Sequence, residues 1–324
     1  MPSFIVKAVA AFIAFGMSMP AMASDAWPSR TVRIVVPFAA GGNADVMARL
    51  LAEHLGEEFK QQFIVEARPG AGGAIGFKAV SSAPPDGYTF LLGTVSVLTL
   101  LPIINPKVDY DAIRDLTNIA YVAGTPAVLA VNPQSGMPDL KTFVERARAS
   151  SVPFTFASTG LGSDGHLLGL AFASQAKFAV EHVPYKGAQQ GITDLLGGHV
   201  KFATYTLASS STYLANRSLA GLAVTSAQRV AAFPDIPTFK ELGYPEMVST
   251  TWFSFSGPAH LPRDIAEKLN RSLVAFLSKD TTKAKLQQYG LIAEPMTIDA
   301  FDAFLKREAA RWSPIIKDAG LVQH

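Results

Sequence analysis

Apolar residues recur along the chain with two distinct periods. Short runs rich in β-branched residues, Val32 to Val36, Phe63 to Val65 and Thr89 to Gly93, predict strands. Between the first two, Met47, Leu50, Leu51, Leu55 and Phe59 follow helical spacing and predict a helix from Asp45 to Phe59. A second helix is expected from Gly73 to Val80, followed by the turn Pro84-Pro85-Asp86-Gly87. A similar unit starts again downstream, with strands at Ala127 to Val131 and Phe154 to Ala157 and a helix from Asp139 to Ser150 between them. A further helix runs from Asp164 or His166 to Gln175. Strands near Ala179 to Val183, Phe202 to Thr206 and Leu219 to Val224 follow, with a helix from Ala188 to Leu196 among them.

This alternation predicts an α/β fold of two lobes on largely parallel sheets. After Pro245 the pattern changes to a strand at Trp252 to Ser256, a helix from Arg263 to Leu277 and a terminal helix from Ile298 past Trp312. The apolar faces of these last helices need cover, which the first lobe lacks without them. The chain is therefore expected to cross between lobes twice, near Val122 to Thr125 and near Val248 to Thr251. The expected division is residues 24–124 with 252–324 in lobe one and 125–251 in lobe two, with a cleft at the hinge. A length of 324 residues also suggests two domains.

The first residues read as a leader. Lys7 precedes an apolar run from Ala8 to Met19, then Pro20 and the A-x-A pattern Ala21-Met22-Ala23. The run is too short to span a bilayer, so cleavage after Ala23 and export are expected. Basic and acidic residues nearly balance, 28 against 26, and are scattered, which argues against nucleic acid as a partner. Cysteine is absent, which excludes disulfides, thiolate metal sites and cysteine nucleophiles.

Several motifs invite a catalytic or cofactor reading and fall short of it. Gly160-Leu161-Gly162-Ser163-Asp164-Gly165 fits the dinucleotide fingerprint between strand and helix, with Glu181 downstream, but export makes a nicotinamide cofactor a poor prospect. The same stretch misses the nucleophile elbow because position 161 is Leu161. The histidines near it, His166, His182 and His199, have no spacing that selects one as a base. No metal-ligand spacing occurs, and no cofactor is expected.

The more informative feature is the pair of glycine-rich loops that open helices in the two lobes. A helix start carries free amides and roughly half a positive charge, so it holds anions without Lys or Arg. Gly41-Gly42-Asn43 supplies one such start, and Ser158-Thr159-Gly160 with Ser163 supplies the other. Facing each other across a cleft, they would suit a small di- or tricarboxylate. Tyr185 and Lys186, after a strand, are candidates to face the same cleft, and Tyr205-Thr206 make a nearby strand end rich in hydroxyls. Asp45 reads as a helix-start acid paired with Arg49, and Thr238-Phe239-Lys240-Glu241 as a capping box on a short helix. Asp164 would repel an anion unless it turns away as a cap or meets a positive group on the ligand.

Taken in order, Pro37-Phe38-Ala39-Ala40-Gly41-Gly42-Asn43-Ala44-Asp45, Arg68-Pro69-Gly70-Ala71-Gly72-Gly73, Pro85-Asp86-Gly87-Tyr88, Ala157-Ser158-Thr159-Gly160-Leu161-Gly162-Ser163 with His166, Val183-Pro184-Tyr185-Lys186-Gly187, Asp194-Leu195-Leu196-Gly197-Gly198, Ala223-Val224-Thr225-Ser226 and Pro234-Asp235-Ile236-Pro237-Thr238 resemble the Bug family. These are the extracytoplasmic solute receptors of tripartite tricarboxylate transporters. The resemblance spans the chain after the leader. It implies a type II-like periplasmic binding protein with an inter-lobe ligand cleft, no catalytic residues, a carboxylate ligand and membrane permease subunits as partners. A monomer is expected. The implied pincers are Phe38 to Asn43 and Ser158 to Ser163. The expected ligand set is Phe38, Ala39, Gly41, Gly42, Asn43, Ser158, Thr159, Gly160, Ser163, His166, Tyr185, Lys186 and Thr206. Two other readings are kept: a periplasmic serine hydrolase using Ser163 or Ser158 with His166, and a sensory receptor for a signalling protein.

Overall fold

The computed structural model describes residues 27–185, 187–288, 290–318 and 320–322; the leader and Lys186 lie outside them. Two five-stranded sheets form the frame. The first has the order β2-β1-β3-β10-β4, from β1 (Val32–Val36), β2 (Phe63–Ala67), β3 (Thr89–Thr94), β4 (Leu116–Thr125) and β10 (Thr251–Pro258). The second has the order β7-β6-β8-β5-β9, from β5 (Ala127–Val131), β6 (Phe154–Ser158), β7 (Val180–Pro184), β8 (Phe202–Thr206) and β9 (Ala220–Val224).

The expectation of largely parallel sheets needs correction. β1, β2 and β3 are parallel, as are β6, β7 and β8, but β10 runs antiparallel between β3 and β4, and β5 antiparallel between β8 and β9. The reason is the path of the chain. A strand that enters a sheet from the other lobe arrives at the end where the βαβ strands finish, so it must run against them. β4 is a ten-residue strand that the periodicity did not predict, and Val122 to Thr125 is its end rather than a free connector.

Helices cover both faces of each sheet, as mixed α/β sheets require. α1 (Asn43–Phe59) and α8 (Arg263–Ser278) pack on one face of the first sheet with Met47, Leu51, Leu55, Leu269 and Leu273 fully buried. On the other face lie α2 (Ala74–Ser81), a π-helical turn at Ser96–Leu100 running into α3 (Leu101–Ile104), and α10 (Ile298–Asp318), around Phe77, Trp252 and Phe301. The C-terminal helices thus return to the first sheet, where Asn270 of α8 donates to the Ile119 carbonyl of β4 at 2.7 Å. The second sheet carries α4 (Leu140–Ala149) and α5 (Asp164–Ala176) on its Phe143 and Phe172 face, and α6 (Ala188–Leu196) and α7 (Leu207–Ala215) on the other. α7 and α9 (Asp280–Gln288), like α3, were not foreseen; each is short and carries little apolar periodicity. The Thr238 and Glu241 capping box forms reciprocally, at 2.7 and 3.0 Å, but on a turn rather than a helix.

Two short segments join the sheets, Thr125-Pro126-Ala127 and Val248-Ser249-Thr250. One side chain ties them. Thr225 Oγ1, fully buried just past β9, accepts the Ala127 amide at 2.9 Å and donates to the Ser249 carbonyl at 2.7 Å. Arg311 of α10 also donates to the Val248 carbonyl.

Candidate functional site

The carboxyl ends of β1, β3, β6, β7 and β8 all open toward the gap between the sheets, since β4 ends and β5 begins there. This is where open α/β sheets place their ligands: loops leaving strand ends carry free amides into a crevice.

In the first lobe, Phe38 is half-buried and packs against both cores, while Ala39, Gly41 and Gly42 are exposed and Asn43 is half-buried. Gly42 is the N-cap of α1 and no side chain caps the helix. Asp45, only 5% exposed, folds back on the loop: its Oδ2 accepts the Gly41 amide at 3.1 Å and Arg49 Nε at 3.0 Å. The Arg49 guanidinium first, and the Gly41 amide second, hold the Asp45 carboxyl below its ordinary range. Gly41 sits at φ +89°, which only glycine adopts without strain. A Cβ placed on Gly41 or Gly42 would meet nothing within 4 Å, so this helix start looks onto open space.

The loop of the second lobe is built differently. Ser158, Gly160, Ser163 and His166 form one hydrogen-bonded knot. Ser158 Oγ lies 2.7 Å from His182 Nε2 and 3.2 Å from Ser163 Oγ, and accepts the Gly160 amide at 3.2 Å. Ser163 Oγ donates to the Gly160 carbonyl at 2.8 Å and caps α5 by accepting the His166 amide at 3.2 Å. The Gly162 amide donates to His166 Nδ1 at 3.1 Å, which puts the proton of the neutral ring on Nε2. The His166 and His182 rings stack at 3.9 Å; burial pushes both down to about 4, and His166 adds repulsion at His182. Thr159 and Leu161 are exposed.

Asp164, the first residue of α5, turns toward the first sheet. Its carboxyl group accepts a hydrogen bond from Thr251 Oγ1, at the start of β10, while Ser163 is the residue that caps α5. Burial pushes its pKa up, opposed mainly by the Thr251 bond. The α5 start is therefore capped by Ser163, and its first turn holds Asp164, which reaches across to Thr251. The uncapped start in the second lobe is that of α6. Gly187 is its N-cap, no side chain caps it, its first turn holds no acid, and a Cβ on Gly187 would meet nothing within 4 Å.

The remaining expected residues also have internal partners. Tyr185 donates from its hydroxyl to Asp194 Oδ2 at 2.5 Å; burial first, then Asp194, pushes its pKa up to about 12. Thr206 caps α7, its Oγ1 accepting the Ser209 amide at 3.2 Å. The two halves touch beside these loops: Leu167 of α5 enters the core around Trp252, and a Cβ on Gly162 would stand 3.3 Å from Ile104. A cavity of about 700 Å³ lies elsewhere between the halves, lined by α7, the segment after β9 and residues 287–294; neither glycine-rich loop lines it.

The hydrolase constellation does not assemble. The His166 ring faces the Gly162 amide rather than a serine. Ser158 pairs with His182 instead, which the spacing did not single out. Ser158 is 0% exposed, and His182 Nδ1 is buried without a hydrogen-bond partner, so no acid orients that ring.

Two α/β lobes joined by two short crossings, with helix starts opening into the gap, define a solute-binding protein. Residues 47–321 match the family model described as tripartite tricarboxylate transporter family receptor. Protein BugT of Bordetella pertussis is 32% identical over 317 residues, 98% of this chain and 97% of that protein. The chain belongs to this receptor family, known also by its Bug members. A protein of R. palustris solved with adipate aligns with a TM-score of 0.84 and 32% identity, over 91% of this chain and 98% of that one. MatC from Rhodopseudomonas palustris, solved with bound malate, aligns at 0.80 and 26%, over 90% and 100%. The periplasmic binding protein BugD aligns at 0.81 and 28%, over 92% and 100%. Among the described residues of this chain, no helix is long and apolar enough to cross a membrane.

Proposed function

We propose that this protein captures a small carboxylate between its two lobes in the periplasm and delivers it to the permease of a tripartite tricarboxylate-type transporter. The observation that carries the reading is the uncapped, open start of α1 at the carboxyl end of β1, with Gly41 and Gly42 clear of other atoms. Adipate and malate on two structural neighbours support a dicarboxylate. The leader pattern, outside the described residues, supports export. The rotating units are taken as residues 24–124 with 252–324 and residues 125–251, the ligand bridging them and closure creating the surface a permease reads. Phe38 to Asn43 supply one jaw. Ser158 to Ser163 with Tyr185, Lys186 and the α6 start supply the other.

One helix start contributes about 0.3–2 kcal/mol to holding an anion, whereas micromolar binding needs about 8 kcal/mol. Direct hydrogen bonds and burial on closure make up the difference. The test is a thermal-shift series with adipate, succinate, malate, citrate and the neutral adipamide. A ligand at 100 times its Kd stabilises the folded state by about 2.7 kcal/mol. Carboxylates that leave Tm unmoved while adipamide raises it would refute the reading. Ester turnover that vanishes in Ser158→Ala would favour a hydrolase instead.

A further inference from the structure

Five hydroxyls gather where β6, β7 and β8 end at the gap. Four have protein partners: Ser158 with His182 and the Gly160 amide, Ser163 with the Gly160 carbonyl, Tyr185 with Asp194, and Thr206 with Ser209. The fifth, Tyr205 Oη on β8, is buried without a hydrogen-bond partner, and the residue is only 2% exposed. A buried hydroxyl left unpaired is costly and uncommon in native proteins, and an absent ligand or water is a usual reason for one.

Its location narrows the choice. Tyr205 pairs with Val128 and immediately precedes Thr206, the cap of α7, so it stands at the ligand end of the sheet. Its phenol rests against the first turns of α6: a Cβ on Gly191 would fall 1.8 Å from Tyr205 Oη and 2.9 Å from Tyr185 Cδ2. Gly191 is thus the residue that admits the phenol beneath α6, and the uncapped α6 start is one turn away. Tyr185 gives its own proton to Asp194, and no hydrogen bond joins it to Tyr205.

We infer that Tyr205 is a specificity-determining ligand contact, its hydroxyl donating to a carboxylate oxygen of the solute held at the start of α6. The inference rests on the receptor reading above and places the lobe-two contact at α6 rather than α5. Burial, with Tyr185 and Asp194 nearby, pushes the phenol pKa up, so it stays a donor at neutral pH. The phenol O–H can pair with a carboxylate oxygen or with an amide carbonyl, and the negative charge of the carboxylate makes that bond the stronger one.

The test is calorimetric titration of wild type and Tyr205→Phe with adipate, succinate, malate and citrate, alongside melts of both ligand-free proteins. Removing an unpaired hydroxyl leaves the ligand-free Tm unchanged or raised. Loss of one hydrogen bond to a charged acceptor weakens binding by about 10- to 100-fold. That combination supports the inference. A Kd within threefold of wild type overturns it, the hydroxyl then facing at most a buried water. A ligand-free Tm several degrees lower also overturns it, because the hydroxyl then has a partner inside the protein. A loss confined to malate and citrate, which carry hydroxyls, overturns the carboxylate assignment. If wild type binds none of the four acids, the receptor reading itself fails, and this inference with it.

Discussion

Thr225→Val replaces a side chain that fastens both inter-lobe segments with an isostere that cannot hydrogen-bond. The methyl groups fill the same fully buried space, so no cavity term enters. What is lost is the acceptor for the Ala127 amide and the donor to the Ser249 carbonyl, at 2.9 and 2.7 Å. The main-chain bonds from Thr225 N to the Ala127 carbonyl and from Ser249 N to the Thr225 carbonyl remain. Each buried polar group left unpaired costs about 1–3 kcal/mol, so the two together cost about 2–6 kcal/mol. Unfolding entropy is about 2.1 cal/mol/K per residue, or about 0.6 kcal/mol/K for roughly 300 residues, so Tm should fall by about 3–10 °C. Thr225→Ser keeps the hydroxyl and should recover most of that. The assay is differential scanning calorimetry of the three proteins without ligand. A Tm for Thr225→Val within 1 °C of wild type would show that the hinge is not held by this hydroxyl.

Two further outcomes follow from the site. The unfolded His166 and His182 titrate at about 6.5 and the folded pair at about 4. The unfolded chain therefore binds more protons between these values, so stability is full above about pH 6.5 and falls as the pH drops through the window, by up to about 3 kcal/mol for one imidazole. Urea midpoints from pH 7 to pH 4 measure this, and His166→Gln should flatten the slope; a wild-type midpoint constant over that range refutes it. In the α1 loop, Gly41→Ala should cost about 1–2 kcal/mol because of its positive φ, while Gly42→Ala should leave stability within about 0.5 kcal/mol. Thermal melts of the two variants decide, and equal losses would contradict the backbone geometry.

Much of the fold was legible because its signal is local. The helix of α8 shows Ile265, Leu269 and Leu273 at one face, and β8 shows a run of aromatic and β-branched residues opened by Lys201, so both were predicted almost to the residue. β4 was missed because its length depends on pairing with β10, which lies more than a hundred residues away. A stretch such as Asn118-Ile119-Ala120-Tyr121 carries no alternation when both faces of the strand are buried. The sense of β5 and β10 was equally out of reach: strand direction is a property of where the chain comes from, and local periodicity has no term for it.

The glycine-rich loops show the same division at the level of chemistry. Both have small residues, a strand before and a helix after, and from composition they are alike. The structure separates them by what the first helical turn does with its own carboxylate. In α1, Asp45 reaches back to Gly41 and Arg49 and leaves the helix start open. In α5, Ser163 caps the first turn and Asp164 reaches Thr251 of β10. A negative group arriving at α5 would meet the Asp164 carboxyl group at the helix start. One arriving at α6 would meet Gly187 with no acid in the turn and no cap. On the proposal that the α6 start and Tyr205 hold the solute, the same electrostatic rule that drew attention to the Ser158 to Ser163 loop places an anion contact one βα unit along the sheet, while Leu167 and Asp164 of α5 join the two lobes through the core around Trp252 and through Thr251.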